Sequence, residues 1–221
     1  QHNGIDYIFY ELYDYEKGVI AYSVINDDMT FTEPTIVLER PYHLSYPHLF
    51  EDNGELYMIP ETGSVNCIEL YKCISFPNEW KFEKQLLNNV NTADNNIFVQ
   101  DNRYWMFTTT QPSLKHQLLV LTSESLHGPW DIVINQHVEH SRSAGKIFRY
   151  DDKLYRSVQN GKGGYGTGIH FKSTILDLEN SIYDENIEHS IEAMWHPEIF
   201  GTHHFDFNDK YIVIDGKRKV Q

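Results

Sequence analysis

The stretch Leu49–Met58, LFEDNGELYM, recurs along the chain as Ile97–Met106, IFVQDNRYWM, and as Ile147–Arg156, IFRYDDKLYR. Each copy carries a large apolar residue seven positions after a Phe, with Asp, Asn or Gly between them. These small polar residues favour tight hairpin turns, and the apolar residues on either side favour paired strands. The three copies therefore predict three equivalent β-hairpins.

Two further copies extend the repeat along the chain. One full copy is His204–Ile212, HFDFNDKYI, and half of a copy stands at His2–Tyr7, HNGIDY. The aligned apolar residues are separated by 50, 48, 50 and 57 residues, and they are Tyr7, Tyr57, Trp105, Tyr155 and Ile212. A repeat of this length predicts an array of equivalent supersecondary units.

Two more strand-like segments follow each of the first four hairpins. They are residues 19–24 with 35–38, 67–71 with 80–87, 118–122 with 130–134, and 169–176 with 183–189. Four strands per repeat are typical of a propeller blade. An antiparallel sandwich with similar hairpins is the alternative, but five copies in one register favour the propeller.

We therefore predict an all-β fold, a five-bladed β-propeller that occupies residues 1–221 as a single domain of a longer chain. Its first blade is truncated at the N-terminus, because the innermost strand would lie before Gln1. Its last blade is incomplete, because no outer strands follow the fifth hairpin. Since an open sheet edge invites aggregation, we expect sequence upstream of Gln1 to complete the ring.

The composition narrows the classes of partner. A formal net charge of -14 over 221 residues argues against nucleic acid and anionic membrane surfaces. No apolar run approaches the roughly 20 residues that a membrane span needs. Cys67 and Cys73 would lie about 20 Å apart in one strand, too far for a disulfide. Free thiols suit a reducing compartment, so we expect a cytoplasmic protein.

Blade geometry predicts where polar side chains meet. The two strands of each inner hairpin are antiparallel, so the start of the first and the end of the second lie at one mouth of the central channel. Four positions after the repeated apolar residue the chain has Glu11, Glu61, Thr109, Gln159 and Gly216. Four positions before the repeated Phe it has Tyr46, Asp94, Ala144 and Gly201.

The residues around this predicted mouth are of the types that bind sugars. Sugars need many hydrogen-bond partners and aromatic faces, and paired carboxylates allow acid–base work on a glycosidic bond. The candidate catalytic carboxylates are Glu61, Asp94 and Glu11. The candidate substrate-binding residues are Tyr46, His48, Arg142, Gln159, Tyr165, His203, His204 and Asp215.

The charged candidates also have structural interpretations. Glu11 and Glu61 are placed where they could hydrogen-bond neighbouring blades. Asp94 begins a strand, where a carboxylate can cap a turn. Arg142 could pair with a structural carboxylate. Residue types and spacing alone leave both interpretations open.

The doublet His203-His204 and the glycine-rich segment Gly161–Gly166 each allow two interpretations. Adjacent residues of a strand point in opposite directions, so one His faces the channel, where it holds a metal ion or makes a hydrogen bond. No Cys/His spacing for zinc accompanies it. The glycine-rich segment does not lie between a strand and a helix, so we interpret it as a rim loop and not as a phosphate-binding loop.

Seven ordered motifs lie between residues 7 and 216. They are HLSYPHLF at 43–50, YMIPE at 57–61, LHGPW at 126–130, RSAG at 142–145, YRSVQ at 155–159, YG at 165–166 and GTHH at 201–204. These motifs resemble the N-terminal domain of plant glucosamine inositolphosphorylceramide transferases and its bacterial relatives. The resemblance implies a propeller similar to family-43 glycoside hydrolases, of the arabinanase or furanosidase kind. It also implies a role in surface-polysaccharide or glycoconjugate biosynthesis.

The resemblance also implies roles for individual carboxylates. The base of the family-43 enzymes is an Asp of blade one, which would precede Gln1, and Asp94 matches their auxiliary Asp of blade three. Their general-acid Glu of blade four has no counterpart, because that position reads Arg142-Ser143-Ala144. Either Glu61 or Glu11 has then taken the acid role, or the protein is not a standard glycosidase.

The same resemblance suggests a cofactor. A central His of the family-43 enzymes, often near a calcium ion, matches His203 or His204. Calcium is accordingly the one cofactor that we consider.

Three functions remain open. The first is a carbohydrate-active enzyme, glycosidase-like or glycosyl-transferring, with Glu61 as acid, Asp94 as its modulator, and Arg142 and His203 as substrate binders. The second is a non-catalytic sugar-binding domain of a larger transferase, which the missing blade-four Glu favours. The third, a protein-interaction propeller, would not need so many ionisable groups at one mouth. The expected partner is a carbohydrate, a nucleotide-sugar or a glycolipid.

Overall fold

The computed structural model describes residues 1–110, 117–162, 164–177 and 182–219, and strands account for most of them. The strands are β1 (Asp6–Tyr13), β2 (Gly18–Ile25), β3 (Thr35–Leu38), β4 (Ser45–Asp52), β5 (Glu55–Glu61), β6 (Cys67–Ser75), β7 (Glu79–Asn88), β8 (Thr92–Gln100), β9 (Arg103–Thr110), β10 (Gln117–Ser123), β11 (Asp131–His137), β12 (Ser143–Tyr150), β13 (Lys153–Gln159), β14 (Gly168–Asp177), β15 (Ile182–Glu192), β16 (Ile199–Gly201), β17 (Phe205–Phe207), β18 (Ile212–Ile214) and β19 (Lys217–Arg218). One 3-10 turn, Gly63–Val65, interrupts them. In these described ranges no helix is long and apolar enough to cross a membrane.

Four antiparallel meanders form the blades of an all-β propeller. They are β1-β2-β3, β4-β5-β6-β7, β8-β9-β10-β11 and β12-β13-β14-β15. The strand segments expected after the first four hairpins are therefore confirmed, and the first blade has three strands where the others have four. Over the described part of the chain the blades number four, so the prediction of five blades was wrong.

The predicted hairpins of blades two to four share one physical basis. Their turns take two consecutive residues with positive φ, as type I′ turns require, and these pairs are Asn53-Gly54, Asp101-Asn102 and Asp151-Asp152. Across each hairpin two aromatic rings stack, at centroid distances of 5.9, 6.4 and 5.6 Å for Phe50–Tyr57, Phe98–Trp105 and Phe148–Tyr155. The turn fixes the register and the stacked pair stabilises it.

The fifth copy of the repeat forms a different structure. Phe205 lies opposite Ile214 and Phe207 lies opposite Ile212, so the repeated Phe does not face the aligned apolar residue. The short ladder β17–β18 is accompanied by a second ladder, β16–β19, instead of joining one blade sheet. Without the stacked aromatic pair, the local pattern did not specify the register that makes a blade.

The strands group into two compact units. The first comprises Gln1–Asn95 and Ser123–Trp130, and the second comprises Asn96–Thr122 and Asp131–Gln221. The core of the first unit is formed by Ile20, Leu38, Leu44, Met58, Tyr71 and Trp80. The second unit contains two buried clusters, one of Trp105, Phe107, Leu118 and Val120, and one of Ala144, Tyr155, Ile169 and Phe171. Both cysteines, Cys67 and Cys73, are free thiols on β6 of the first unit.

Candidate functional site

In the first unit, two predicted carboxylate residues are in contact. Glu61 ends β5, Asp94 lies near the start of β8, and the backbone N–H of Asp94 donates a hydrogen bond to Glu61 Oε2 at 3.2 Å. Asp94 is buried, with 3% of its surface exposed, whereas Glu61 is half-buried. A backbone N–H that donates to a carboxylate stabilises its ionised form. This contact fixes one carboxylate oxygen of Glu61 at the backbone of Asp94.

The backbone is strained at two of the predicted residues. Tyr46 has φ = 44° and Asp94 has φ = 54°, both in the left-handed region that residues other than glycine rarely adopt. At Tyr46 the strain coincides with a register shift in the β4–β5 ladder between Ser45 and His48. Bulges of this kind redirect side chains and are enriched beside functional sites. The strain therefore marks the starts of β4 and β8 as candidate site positions.

Glu11 and His48 have other neighbours in the first unit. Glu11 Oε1 lies 3.2 Å from His43 Nε2, and the backbone N–H of Gly18 donates to the other ring nitrogen of His43. His43 Nδ1 is therefore the acceptor, and its Nε2–H points at Glu11. The ring of His48 stacks on Phe50, two residues further along the same face of β4, at a centroid distance of 5.6 Å.

In the second unit, three of the predicted binding residues line one pocket, and a fourth, His203, contacts one of them. The pocket has a volume of about 580 Å³ and lies between the residues that follow β11 and those that connect β13 to β14. Its lining includes three of the predicted residues, Arg142, Gln159 and Tyr165. Pockets of this size accommodate small ligands such as short saccharides.

A chain of contacts joins the pocket to the predicted His doublet. The guanidinium carbon of Arg142 lies 5.2 Å from the centre of the Tyr165 ring, a cation–π distance. The Tyr165 ring meets the His203 ring edge to face, with centroids 5.1 Å apart. His203 Nδ1 in turn forms a hydrogen bond with the carboxylate of Asp215. Tyr165 is still 55% exposed, so part of its ring can receive a ligand.

Asp215 anchors the segment that carries His203 and His204. Its Oδ1 accepts the backbone N–H groups of His203 and His204 at 2.8 and 2.7 Å and the hydroxyl of Thr202 at 3.1 Å. Burial alone would raise the pKa of Asp215, but the hydrogen bonds and charge of His203 and the two backbone donors outweigh it and hold that pKa at about 2. Asp215 is therefore ionised and fixes the His203 ring beside Tyr165.

Backbone contacts hold the pocket walls together. Gln159 N donates to the Arg142 carbonyl at 2.8 Å, and Gln159 Nε2 donates to the Ser143 carbonyl at 3.0 Å. The N–H of Thr202 donates to the Gly166 carbonyl at 2.8 Å. A Cβ on Gly201 would lie 2.4 Å from that carbonyl oxygen, so this close approach requires glycine. The wall segments are fixed before any ligand arrives.

A buried ionic cluster supports the segment that precedes Arg142. Glu185 Oε1 lies 2.5 Å from Arg156 Nε, and Glu185 Oε2 lies 3.1 Å from Lys172 Nζ, with all three side chains at most 5% exposed. The two cations also donate to backbone carbonyls, Lys172 to that of Glu139 at 2.6 Å and Arg156 to that of Ser141 at 3.2 Å. Burial alone would raise the pKa of Glu185, but the two cations outweigh it and hold that pKa at about 2.

Sequence reasoning missed several pocket residues. His137, Glu139, His140, Ser141, Lys162 and Gly164 line the pocket but were not among the predicted binding residues. His140 accepts the N–H of Gly161 at 3.3 Å, and its ring packs against that of His170 at a centroid distance of 4.8 Å. Burial lowers the pKa of His140. The glycine-rich rim loop was the only signal that could have found this wall, and its Gly163 lies outside the described residues.

The calcium that the sequence suggested has no fitting ligand set in the described part of the chain. Calcium prefers six to eight oxygen ligands. The oxygens of Asp215 are taken up by His203, Thr202 and backbone N–H groups. No group of three His, Cys, Asp or Glu side chains among the described residues could hold a metal ion.

The predicted site residues thus fall into two groups, one in each unit. The first unit holds Glu11, Tyr46, His48, Glu61 and Asp94, and the second holds Arg142, Gln159, Tyr165, His203, His204 and Asp215. Glu61 contacts Asp94, and three residues of the second group line the pocket, whereas Glu11 pairs with His43. The expectation that both groups open onto one mouth stays a prediction.

A sequence family matches nearly the whole chain. The model of the family described as glucosamine inositolphosphorylceramide transferase 1, N-terminal, matches residues 2–206. Glucosamine inositolphosphorylceramide transferase 1 of Arabidopsis thaliana is 27% identical over 96% of this chain. The protein of the same name from Oryza sativa subsp. indica is 31% identical over 61% of this chain. The chain spans 30% and 19% of the lengths of these two relatives.

Solved structures share the fold at low sequence identity. An α-L-arabinanase of Cellvibrio cellulosa superposes with a TM-score of 0.61 at 14% identity, over 85% of this chain and 75% of the other. An α-L-arabinofuranosidase of Podospora anserina superposes with a TM-score of 0.63 at 11% identity, over 92% of this chain and 73% of the other. At such identities the likeness concerns the propeller fold alone.

Proposed function

This chain belongs to the family of the N-terminal domain of glucosamine inositolphosphorylceramide transferase 1, and from that premise we propose that it recognises carbohydrate. The relatives named in that family are glycosyl-group transferases, and their matched segment is a minor part of their length. We propose a non-catalytic sugar-recognition domain that serves a transferase region elsewhere in the protein. Its ligand would be a glycan, a nucleotide-sugar or a glycolipid used in glycoconjugate biosynthesis.

The pocket beside Tyr165 is the observation that carries this proposal. A half-exposed aromatic ring, the Arg142 guanidinium and the Gln159 amide lie on one cavity of about 580 Å³. Sugars bind where an aromatic face and several hydrogen-bonding groups are fixed together. The hydrogen bonds made by Gln159 and Asp215 fix these groups in advance, which lowers the entropy lost on binding.

The carboxylates support recognition more than catalysis. A general acid needs a proton that it can donate, and Oε2 of Glu61, the candidate acid, accepts a hydrogen bond from the backbone N–H of Asp94. The position in β12 at which the sequence comparison expected an acid carries Ser143 and Ala144, both buried. Glu11 is engaged by His43.

A saccharide-binding experiment tests the proposal. The chain is titrated calorimetrically with neutral furanosides and amino-sugar oligosaccharides selected from a glycan array. Tyr165→Ala removes the exposed ring and should weaken binding by about tenfold, the order expected for one aromatic contact. Tyr150→Ala is the matched control, because Tyr150 is 71% exposed but lies at the hairpin turn of the same blade. Equal affinities of the two variants would contradict a sugar site at Tyr165.

One observation favours a second candidate, a carbohydrate-active enzyme. Asp94 is buried in a left-handed conformation beside Glu61, and strained backbone often accompanies catalytic residues. Hydrolysis and transfer are assayed on the same saccharides with the wild-type chain, Glu61→Gln and Asp94→Asn. Enzymatic action predicts wild-type turnover that falls by about 10²-fold or more in each variant while binding persists. Binding without turnover in the wild-type chain would eliminate this candidate.

A further inference from the structure

We propose that the pocket lined by residues 137–142, Gln159, Gly161, Lys162 and residues 164–166 is selective for an anionic sugar, one that carries a phosphate or a carboxylate group. This inference rests on the proposed sugar recognition and specifies the chemical class of the ligand. It comes from the charge of the pocket lining and from one buried hydroxyl group.

The charge of the pocket is opposite to that of the chain. The chain has 32 Asp and Glu against 18 Lys and Arg. The pocket lining has two cations, Arg142 and Lys162, and two imidazoles, His137 and His140, against the single carboxylate Glu139. That carboxylate is 87% exposed, so solvent weakens its field at the pocket. A local excess of cations on an acidic protein attracts an anion.

Ser141 provides a hydroxyl group that no other described residue uses in a hydrogen bond. It lines the pocket, it is 3% exposed, and its Oγ has no hydrogen-bond partner among the described residues. Its carbonyl is fixed by Thr109 Oγ1 at 3.1 Å and by Arg156 at 3.2 Å. An unsatisfied buried hydroxyl destabilises a protein, so its retention needs a reason. A ligand oxygen in the pocket would satisfy it.

The shape of the rim suits an anion on a small ring. Gly161 and Gly164 lie on the rim, and a Cβ on either would meet no atom within 4 Å, so the backbone there is open to a ligand. Arg142 presents a planar fork of N–H donors that matches the oxygens of a phosphate or a carboxylate. Tyr165 offers the ring face that a sugar needs. The lining thus combines cationic donors with a partly exposed aromatic ring.

Calorimetry at low ionic strength tests the selectivity with four probes: D-glucose, α-D-glucose 1-phosphate, D-glucuronate and inorganic phosphate. We expect both anionic sugars to bind about tenfold or more tightly than glucose, the order of one charge-assisted hydrogen bond, and to lose this advantage in high salt. Whichever of the two binds more tightly identifies phosphate or carboxylate as the preferred group.

Two variants and one control test whether the pocket binds the anionic sugar or whether any positive charge on the surface does. Lys162→Gln should lower the affinity for glucose 1-phosphate several-fold and leave that for glucose unchanged. Lys153→Gln is the control, because Lys153 belongs to the same blade, is 55% exposed and pairs with Glu188.

Ser141→Ala should weaken anionic-sugar binding while leaving the unfolding midpoint unchanged or higher, since it removes a hydroxyl without a partner among the described residues. A merely structural Ser141 would instead lower the midpoint.

The outcomes distinguish this inference from the proposed function. Equal affinities for glucose and its 1-phosphate, or equal losses in Lys162→Gln and Lys153→Gln, overturn the anion selectivity but keep sugar recognition. Phosphate binding without any sugar binding overturns sugar recognition and keeps an anion pocket. The absence of binding to all four probes overturns both.

Discussion

The carboxylates of the two units are held in different ways. In the first unit, Glu11 meets the partly exposed imidazole of His43, and Glu61 accepts one backbone N–H. In the second unit, Glu185 is buried between two cations, and Asp215 accepts several backbone and side-chain donors. Burial decides how much such a contact contributes to stability, because water screens exposed charges.

This difference indicates where the molecule fixes a binding site. The buried cluster of the second unit donates to the carbonyls of Glu139 and Ser141, and Asp215 positions His203 beside Tyr165. Both carboxylates therefore stabilise pocket walls that carry a cation and an aromatic ring. The distinguishing feature of the first unit is the strained backbone at Tyr46 and Asp94.

The largest effect is expected at Glu185. Glu185→Gln leaves Arg156 and Lys172 buried without their anion, so the free energy of unfolding should fall by about 3–5 kcal/mol. The same change should weaken saccharide binding, because the cations hold the carbonyls of Glu139 and Ser141. Urea unfolding and calorimetry measure the two effects.

Glu188→Gln is the control for that substitution. Glu188 also lies on β15 but is more exposed and bonds Lys153 and Ser173 at the surface. Glu188→Gln should therefore lower the free energy of unfolding much less than Glu185→Gln does. If both variants lose the same stability, burial is not what distinguishes the Glu185 cluster.

An intermediate effect is expected at Asp215, and it depends on pH. Its pKa is depressed from 3.8 to about 2 in the folded chain, so its contribution is complete above pH 3.8 and is lost as the pH falls through about 2. Asp215→Asn should therefore be less stable than the wild type at neutral pH, by a difference that shrinks between these two values. Unfolding followed at several pH values measures it, with Asp206→Asn, an exposed carboxylate paired with Lys146, as control. A stability difference that does not change with pH would contradict the assigned role.

The smallest effect is expected at Glu11. Its pair with His43 is partly exposed, so Glu11→Gln should lower the free energy of unfolding by less than about 1 kcal/mol. A double-mutant cycle with His43→Gln isolates the pair, and saccharide titration of the same variants measures binding. A tenfold loss of binding or turnover in Glu11→Gln would assign it to the functional site after all.

Much of the fold was predictable because its determinants are local. The type I′ turns at Asn53-Gly54 and Asp151-Asp152 follow from residues that tolerate positive φ. The Phe–Tyr stacks follow from a seven-residue spacing across those turns. The fifth repeat shows where the local pattern fails, because Phe205 faces Ile214 and no stacked pair fixes the register.

The candidate site was predictable only in part. Position in the sequence repeat alone predicted Glu61 and Asp94, which are hydrogen-bonded to each other, and Gln159, which lines the pocket. Ser141 was not selected as a binding residue, because its importance depends on burial and on a missing hydrogen-bond partner. Lys162 was not selected because its place in the pocket lining depends on tertiary structure.

The sequence by itself determined the all-β propeller blades, since turn chemistry and the spacing of aromatic residues act within one hairpin. Only the tertiary structure decided the number of blades, the ionic cluster of Arg156, Lys172 and Glu185, and the cationic pocket. These features depend on which strands pair and on what is removed from water. The strength of a charge contact is set by that burial, and residue spacing along a chain does not encode it.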